Sequence, residues 1–100
     1  MTSEIDIALY ERSWSLWGAQ SQYAMLAEEC CELAKAALKR SRIVNGSSEM
    51  QLIEEIADVE IMIDQVKHCA QLSLDDIDTT KMRKMNRLAN ILYKSEHKEL

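Results

Sequence analysis

The chain has 100 residues, no proline and only two glycines, and it carries a net charge of −5. This length predicts a single domain over residues 1–100, and a composition rich in Ala, Leu, Ile, Met, Glu and Lys is typical of helices. The negative charge argues against a nucleic acid polymer as partner, because domains that bind nucleic acids are normally basic over one face. No apolar run is long enough for a membrane span, and the N-terminus lacks the features of a signal peptide, so we expect a cytoplasmic protein without a membrane partner.

The first segment combines a helix start with two tryptophans. Ser3 and Asp6 have the spacing of a capping box, and Gly18 is expected to break or bend the helix that follows. Trp14 and Trp17 have two interpretations. They are anchors of the core or of a subunit interface, or they stack on a nucleobase.

A second helix is predicted from about Ala19 to Arg42. Cations near its C-terminus suit the helix dipole, and these are Lys35, Lys39, Arg40 and Arg42. Lys35 lies one turn beyond Glu32, so it can pair with that acid or bind a substrate phosphate. The sequence leaves both roles open.

A turn at residues 44–48 precedes a third helix, predicted from about Glu49 to Gln71 with Ser48 as its cap. A connection this short makes the second and third helices antiparallel. Glu32 lies about 14 residues before the glycine of the turn and Glu55 about 9 residues after it. The two positions therefore differ by roughly one helical turn, which the helix ends would have to absorb.

The third helix is apolar on more than one side. Its broad stripe consists of Ile53, Ile56, Val59, Met62, Ile63 and Val66, and Ile61 lies elsewhere. A helix that is apolar nearly all round is usually buried, and one short bundle can hardly surround it. We therefore expect a homodimer or a dimer of dimers.

A fourth helix is predicted from Ser73 to about Tyr93. Lys84 and Arg87 lie at or just outside the edge of its apolar stripe. They form either a solvated basic face or a clamp for phosphates. Together the elements predict an all-α fold, an antiparallel bundle of about four helices that is completed by oligomerisation.

Two acidic motifs share one pattern, and they lie 26 residues apart, at 26–33 and 52–59. In each helix two carboxylates are one turn apart and border the apolar stripe. A single motif of this kind is typical of a solvated face, but two in the same register beside a core favour a site. Carboxylates at a partly buried rim repel one another unless a cation lies between them, and oxygen ligands suit Mg²⁺ or Mn²⁺. The predicted metal ligands are Glu29, Glu32, Glu55 and Asp58.

The segments Glu29–Glu32 and Glu55–Asp58 resemble the E-x-x-E and E-x-x-D signature of the MazG-like, all-α nucleoside triphosphate pyrophosphohydrolases, which include the dimeric dUTPases. Ile53–Met62 is similar to the third helix of that family, and Lys84–Leu88 looks like its basic K-x-x-R-L stretch. Upstream, Trp17-Gly18 and Gln22 resemble an aromatic-Gly pair and a glutamine of many members. The resemblance covers most of the chain.

The resemblance implies an enzyme that hydrolyses a nucleoside triphosphate between the α and β phosphates, giving a monophosphate and pyrophosphate. Mg²⁺ held by the four acids would neutralise phosphate oxygens and orient a water, and Glu32 or Glu55 would accept the proton of that water. The candidate ligands of the β and γ phosphates are Lys84, Arg87 and Lys35. The candidate nucleobase contacts are Trp14, Trp17 and Gln22.

Two other classes can be compared with this interpretation. A di-iron helical bundle would need Glu-x-x-His on two helices, whereas His68 follows Gln65 and His97 follows Lys94 at that spacing. A non-catalytic helical interaction module is the alternative function. Turnover that depends on a divalent metal distinguishes an enzyme from such a module.

Overall fold

The structure is a computed structural model that describes residues 2–98, and this part of the chain contains helices and no strand. The helices are α1 (Glu4–Trp17), α2 (Ala19–Arg42), α3 (Gly46–Cys69) and α4 (Leu74–Glu96). The predicted all-α fold is confirmed. Both ends of the predicted domain, residues 1 and 100, lie outside the described residues. None of the helices within 2–98 is long and apolar enough to cross a membrane.

Local hydrogen bonds explain where α1 begins and ends. The Ser3 hydroxyl accepts a hydrogen bond from the Asp6 amide at 3.1 Å, and the Asp6 carboxylate accepts one from the Ser3 amide, so the predicted capping box is present. Gly18 has φ +87°, a conformation that costs glycine little and other residues more. This residue ends α1 and allows α2 to start in a new direction immediately after it.

The turn between α2 and α3 is built differently from the prediction. Asn45, not Ser48, is the N-cap of α3, and the Asn45 side chain accepts a hydrogen bond from the Ser48 amide at 2.9 Å. Ser48 is the third helical residue and is fully buried. Its hydroxyl donates a hydrogen bond to the Asn45 carbonyl and accepts one from the Asn45 amide. Arg40 donates to the Asn45 carbonyl at 2.8 Å and to the Ser48 hydroxyl. The helix therefore begins three residues before the predicted start.

The core lies along the α2–α3 hairpin, with α1 packed across both helices. Its buried apolar residues are Ala36, Val59, Met62 and Val66. The Trp14 ring meets the Tyr23 ring edge to face, with 5.5 Å between centroids, which fixes α1 against α2. The core is small, and Ile53, Ile56 and Ile61 of α3 remain largely exposed in the single chain.

Helix α4 extends from this three-helix unit and makes at most slight contact with it. None of the residues of α4 is buried. The molecule measures 58 × 37 × 24 Å. The radius of gyration is 17.5 Å, against about 13 Å for a compact domain of this length. The accessible surface is 8237 Å², whereas a compact chain of 11.5 kDa would expose about 5,800 Å². A single chain therefore exposes more surface than a compact protein of its mass, and many large apolar side chains lie on that surface.

Candidate active site

The antiparallel hairpin brings the two acidic motifs to the same level. Glu32 lies ten residues before the last residue of α2, and Glu55 lies nine residues after the first residue of α3. Counted from the two helix ends, the offset expected from the sequence disappears, because the turn between Arg42 and Gly46 contains only residues 43–45. The start of α3 after its Asn45 cap therefore places the two motifs at similar distances from the turn.

Three of the four predicted metal ligands form one group. Glu29, Glu55 and Asp58 each offer a carboxylate oxygen, and these oxygens all lie within 4.8 Å of one another. Glu29 and Glu55 are half-buried, while Asp58 is exposed. Within residues 2–98, His68 contacts the Glu11 carboxylate at 3.1 Å, and no lysine or arginine in that range forms an ion pair with the group. The carboxylates thus repel one another in the free protein.

Glu55 has the least favourable environment of the group. Its Oε2 atom is buried and has no hydrogen-bond partner among the described residues, although such oxygens are normally satisfied. Burial raises the pKa of Glu55, and the nearby charges of Asp58, Glu29 and Glu32 raise it further. A proton or a metal cation would relieve both effects.

Glu32 lies outside the three-oxygen group but close to it. Together with Glu55 it lines a cavity of about 680 Å³ between the end of α2 and the start of α3. Lys35 lines the same cavity, and no ion pair within the described residues joins it to Glu32. Of the two roles predicted for Lys35, this position favours contact with a ligand in the cavity.

A second, smaller cavity lies on the other side of the acids. Its volume is about 240 Å³, and Glu29 and Asp58 line it together with Trp17 and Gln22. Gln22 is only 3% exposed, and its carbonyl oxygen accepts a hydrogen bond from the side-chain amide of Gln65, which is also buried. Two of the three predicted nucleobase contacts therefore share a cavity with two of the acids.

The remaining predicted residues lie apart from the acids. Trp14 packs on Tyr23 and lines a different cavity with Glu11, His68 and Cys69. Lys84 lines a shallow apolar groove formed within α4, and Arg87 is exposed on the same helix. Within one chain these two cations are not brought to the acidic group.

Gln65 was missed by the sequence prediction. It follows Gln51, Glu55, Asp58 and Met62 at helical spacing, so these five residues share one face of α3. Polar residues that recur in phase with the two acids are the signal that could have identified it.

Comparison with protein-family models, with curated proteins and with solved structures finds no match to this chain. The chemistry of the site must therefore follow from its own residues and distances.

Proposed function

We propose that the chain is a Mg²⁺-dependent nucleoside triphosphate pyrophosphohydrolase of the MazG-like kind. The observation that carries the proposal is the convergence of Glu29, Glu55 and Asp58, whose oxygens approach within 4.8 Å of one another. These acids come from the two motifs that resemble the signature of that family. The reaction adds the oxygen of water to the α phosphorus and breaks its bond to the bridging oxygen, which leaves with pyrophosphate.

The three acids fit a hard divalent cation. They supply only oxygen donors, which suit Mg²⁺ or Mn²⁺, and the buried Oε2 of Glu55 lacks any other partner among the described residues. When bound, the cation would offset the charge of the phosphates and of the acids. Glu32, outside the three-oxygen group, keeps its lone pairs free and is favoured over Glu55 as acceptor of the water's proton.

The smaller cavity supports a role in holding the nucleoside. Trp17 supplies an aromatic face, and the Gln22–Gln65 amide pair supplies fixed polar groups beside Glu29. Base stacking on an aromatic ring and hydrogen bonds from amides are the usual means of base recognition. We therefore propose Trp17 and Gln22 as contacts of the base or sugar, with the α phosphate next to the acids.

A second copy of the chain is part of the proposal. Helix α4 leaves an apolar stripe uncovered, and the chain exposes about 2,400 Å² more than a compact protein of its mass. This excess is larger than the roughly 800 Å² per partner of a standard interface. Packing α4 against a second copy would cover the stripe, and this is also the route by which Lys84 and Arg87 would reach a phosphate. A cytoplasmic location is proposed because that compartment holds the substrate.

The test is a screen of the common NTPs and dNTPs for release of pyrophosphate, with Mg²⁺, with Mn²⁺ and with EDTA. We expect turnover of at least one nucleotide with metal and none with EDTA. Glu55→Gln and Asp58→Asn should each lower kcat by roughly 10²-fold or more, as expected when a metal or its water is misplaced. Glu28→Gln, next to Glu29 but outside the group, is the matched control and should keep wild-type activity. Failure to turn over any nucleotide would favour a non-catalytic interaction module.

A further inference from the structure

The cavity at the turn end of the α2–α3 hairpin carries an unusual set of charges. Its volume of about 680 Å³ lies within the range of small-molecule sites. Three cations line it, Lys35, Lys39 and Arg42, all from the last turns of α2. Two acids of the candidate active site, Glu32 and Glu55, line it at the other end. The cavity is therefore continuous with the place where hydrolysis is proposed.

The three cations are available to a ligand. The fourth cation of this region, Arg40, is tied to the turn through the Asn45 carbonyl and the Ser48 hydroxyl. By contrast, Lys35, Lys39 and Arg42 form no ion pair with a carboxylate within residues 2–98. Three neighbouring positive charges without a partner repel one another, and an anion in the cavity would relieve that repulsion.

Their spacing gives the cavity a direction. Residues 35, 39 and 42 follow Glu32 at intervals of three or four and so lie on one face of α2. From Lys35 to Arg42 the helix advances by about 10 Å, a length suited to a short chain of phosphoryl groups. The helix dipole explains cations near a C-terminus, but it does not explain why three of them share one cavity with two acids from different helices.

We propose that this cavity binds the terminal phosphates of the substrate, with Lys35, Lys39 and Arg42 as ligands of the β and γ phosphates from the same chain that supplies the acids. This inference rests on the proposed function. The acids lie between the cavity with Trp17 and Gln22 and the cavity with the three cations. A nucleotide bound across both presents its α phosphate to the acids, and the pyrophosphate formed remains among the cations until it is released.

The first test uses inorganic tripolyphosphate as the probe, with binding measured by calorimetry at 0.15 M salt. Lys39→Ala and Arg42→Ala should each weaken binding by tenfold or more, the range expected for loss of a charge-assisted hydrogen bond. Arg83→Ala removes the same charge from the exposed surface of α4 and is the matched control. It should change the affinity by less than twofold. Circular dichroism confirms that each variant is folded.

The second test compares a non-hydrolysable triphosphate with the corresponding monophosphate. The two cavity variants should weaken binding of the triphosphate and leave that of the monophosphate unchanged. Equal effects on both nucleotides, wild-type affinity of the variants for tripolyphosphate, or no binding of tripolyphosphate by the wild type would each overturn the inference. Because these binding measurements involve no turnover, they remain decisive if no nucleotide is hydrolysed. Normal hydrolysis by the wild type, together with wild-type binding by the two cavity variants, would reject this cavity as the phosphate site and leave the proposed function intact.

Discussion

The apolar stripe of α4 provides the most quantitative prediction for this protein. Met85, Leu88 and Leu92 lie on one side of the helix and are 62%, 44% and 51% exposed. Full burial of such a side chain contributes about 1.5–3 kcal/mol, so covering the exposed half contributes about 1 kcal/mol for each. In a symmetric dimer the three residues of both copies would together contribute about 6 kcal/mol.

We expect Leu88→Asp to disrupt this dimer. The change removes about 2 kcal/mol of apolar burial over the two copies, and it places two carboxylates in the interface, each of which costs several kcal/mol without a partner. A total of at least about 4 kcal/mol raises the dissociation constant of the dimer by about 10³-fold. Asn90→Asp adds the same charge on the opposite side of α4 and is the matched control.

Sedimentation velocity over a range of concentrations measures the effect. The wild type and Asn90→Asp should be dimeric or larger at tens of micromolar, while Leu88→Asp should be monomeric and still helical by circular dichroism. A wild type that sediments as an extended monomer would refute this reasoning. So would a Leu88→Asp variant that associates as tightly as the wild type.

Three further predictions concern the candidate site. In EDTA at pH 7, Glu55→Gln should melt at the same or a higher temperature than the wild type. That advantage should shrink as the pH falls toward 4.5, the ordinary pKa of a glutamate, because the raised pKa of Glu55 allows the wild type to bind a proton that removes the same repulsion. A large loss of melting temperature in Glu55→Gln at pH 7 would identify a structural acid instead. Lys84→Ala and Arg87→Ala should each lower kcat/KM by about ten- to a hundredfold, and single variants with wild-type kcat/KM at low and high salt would disprove the phosphate clamp. If α4 serves the partner's site, mixing the variant that carries both alanine substitutions with the Glu55→Gln variant should restore activity. Trp17→Ala should raise KM about tenfold or more by removing stacking without altering the affinity for tripolyphosphate, and an unchanged KM would exclude Trp17 as a base contact.

The sequence by itself determined most of the secondary structure of this protein. Helix-forming residues without proline, the capping pair Ser3 and Asp6, and the break at Gly18 are local features, and local hydrogen bonds suffice to express them. The acidic motifs were equally readable, because helical periodicity alone places Glu55 and Asp58 on one face. The predicted start of α3 was wrong by three residues because Asn45 and Ser48 are both good N-cap residues. The hydrogen bonds from Arg40 to Asn45 and Ser48, which hold the turn, cannot be predicted from residue spacing.

Only the tertiary structure decided what the acids face. The antiparallel packing of α2 on α3 brought Glu29 to Glu55 and Asp58, placed Glu32 and Lys35 in one cavity with Glu55, and paired Gln22 with Gln65, which is 43 residues away. Such contacts depend on the register and rotation of two helices about their axes, and these are set by the side chains buried between them rather than by the period of either sequence. Packing between helices also decides what covers the apolar stripe of α4. Its amphipathic pattern predicts a partner surface, but the pattern does not say whether that surface belongs to the same chain, and in this structure its own chain leaves the stripe uncovered.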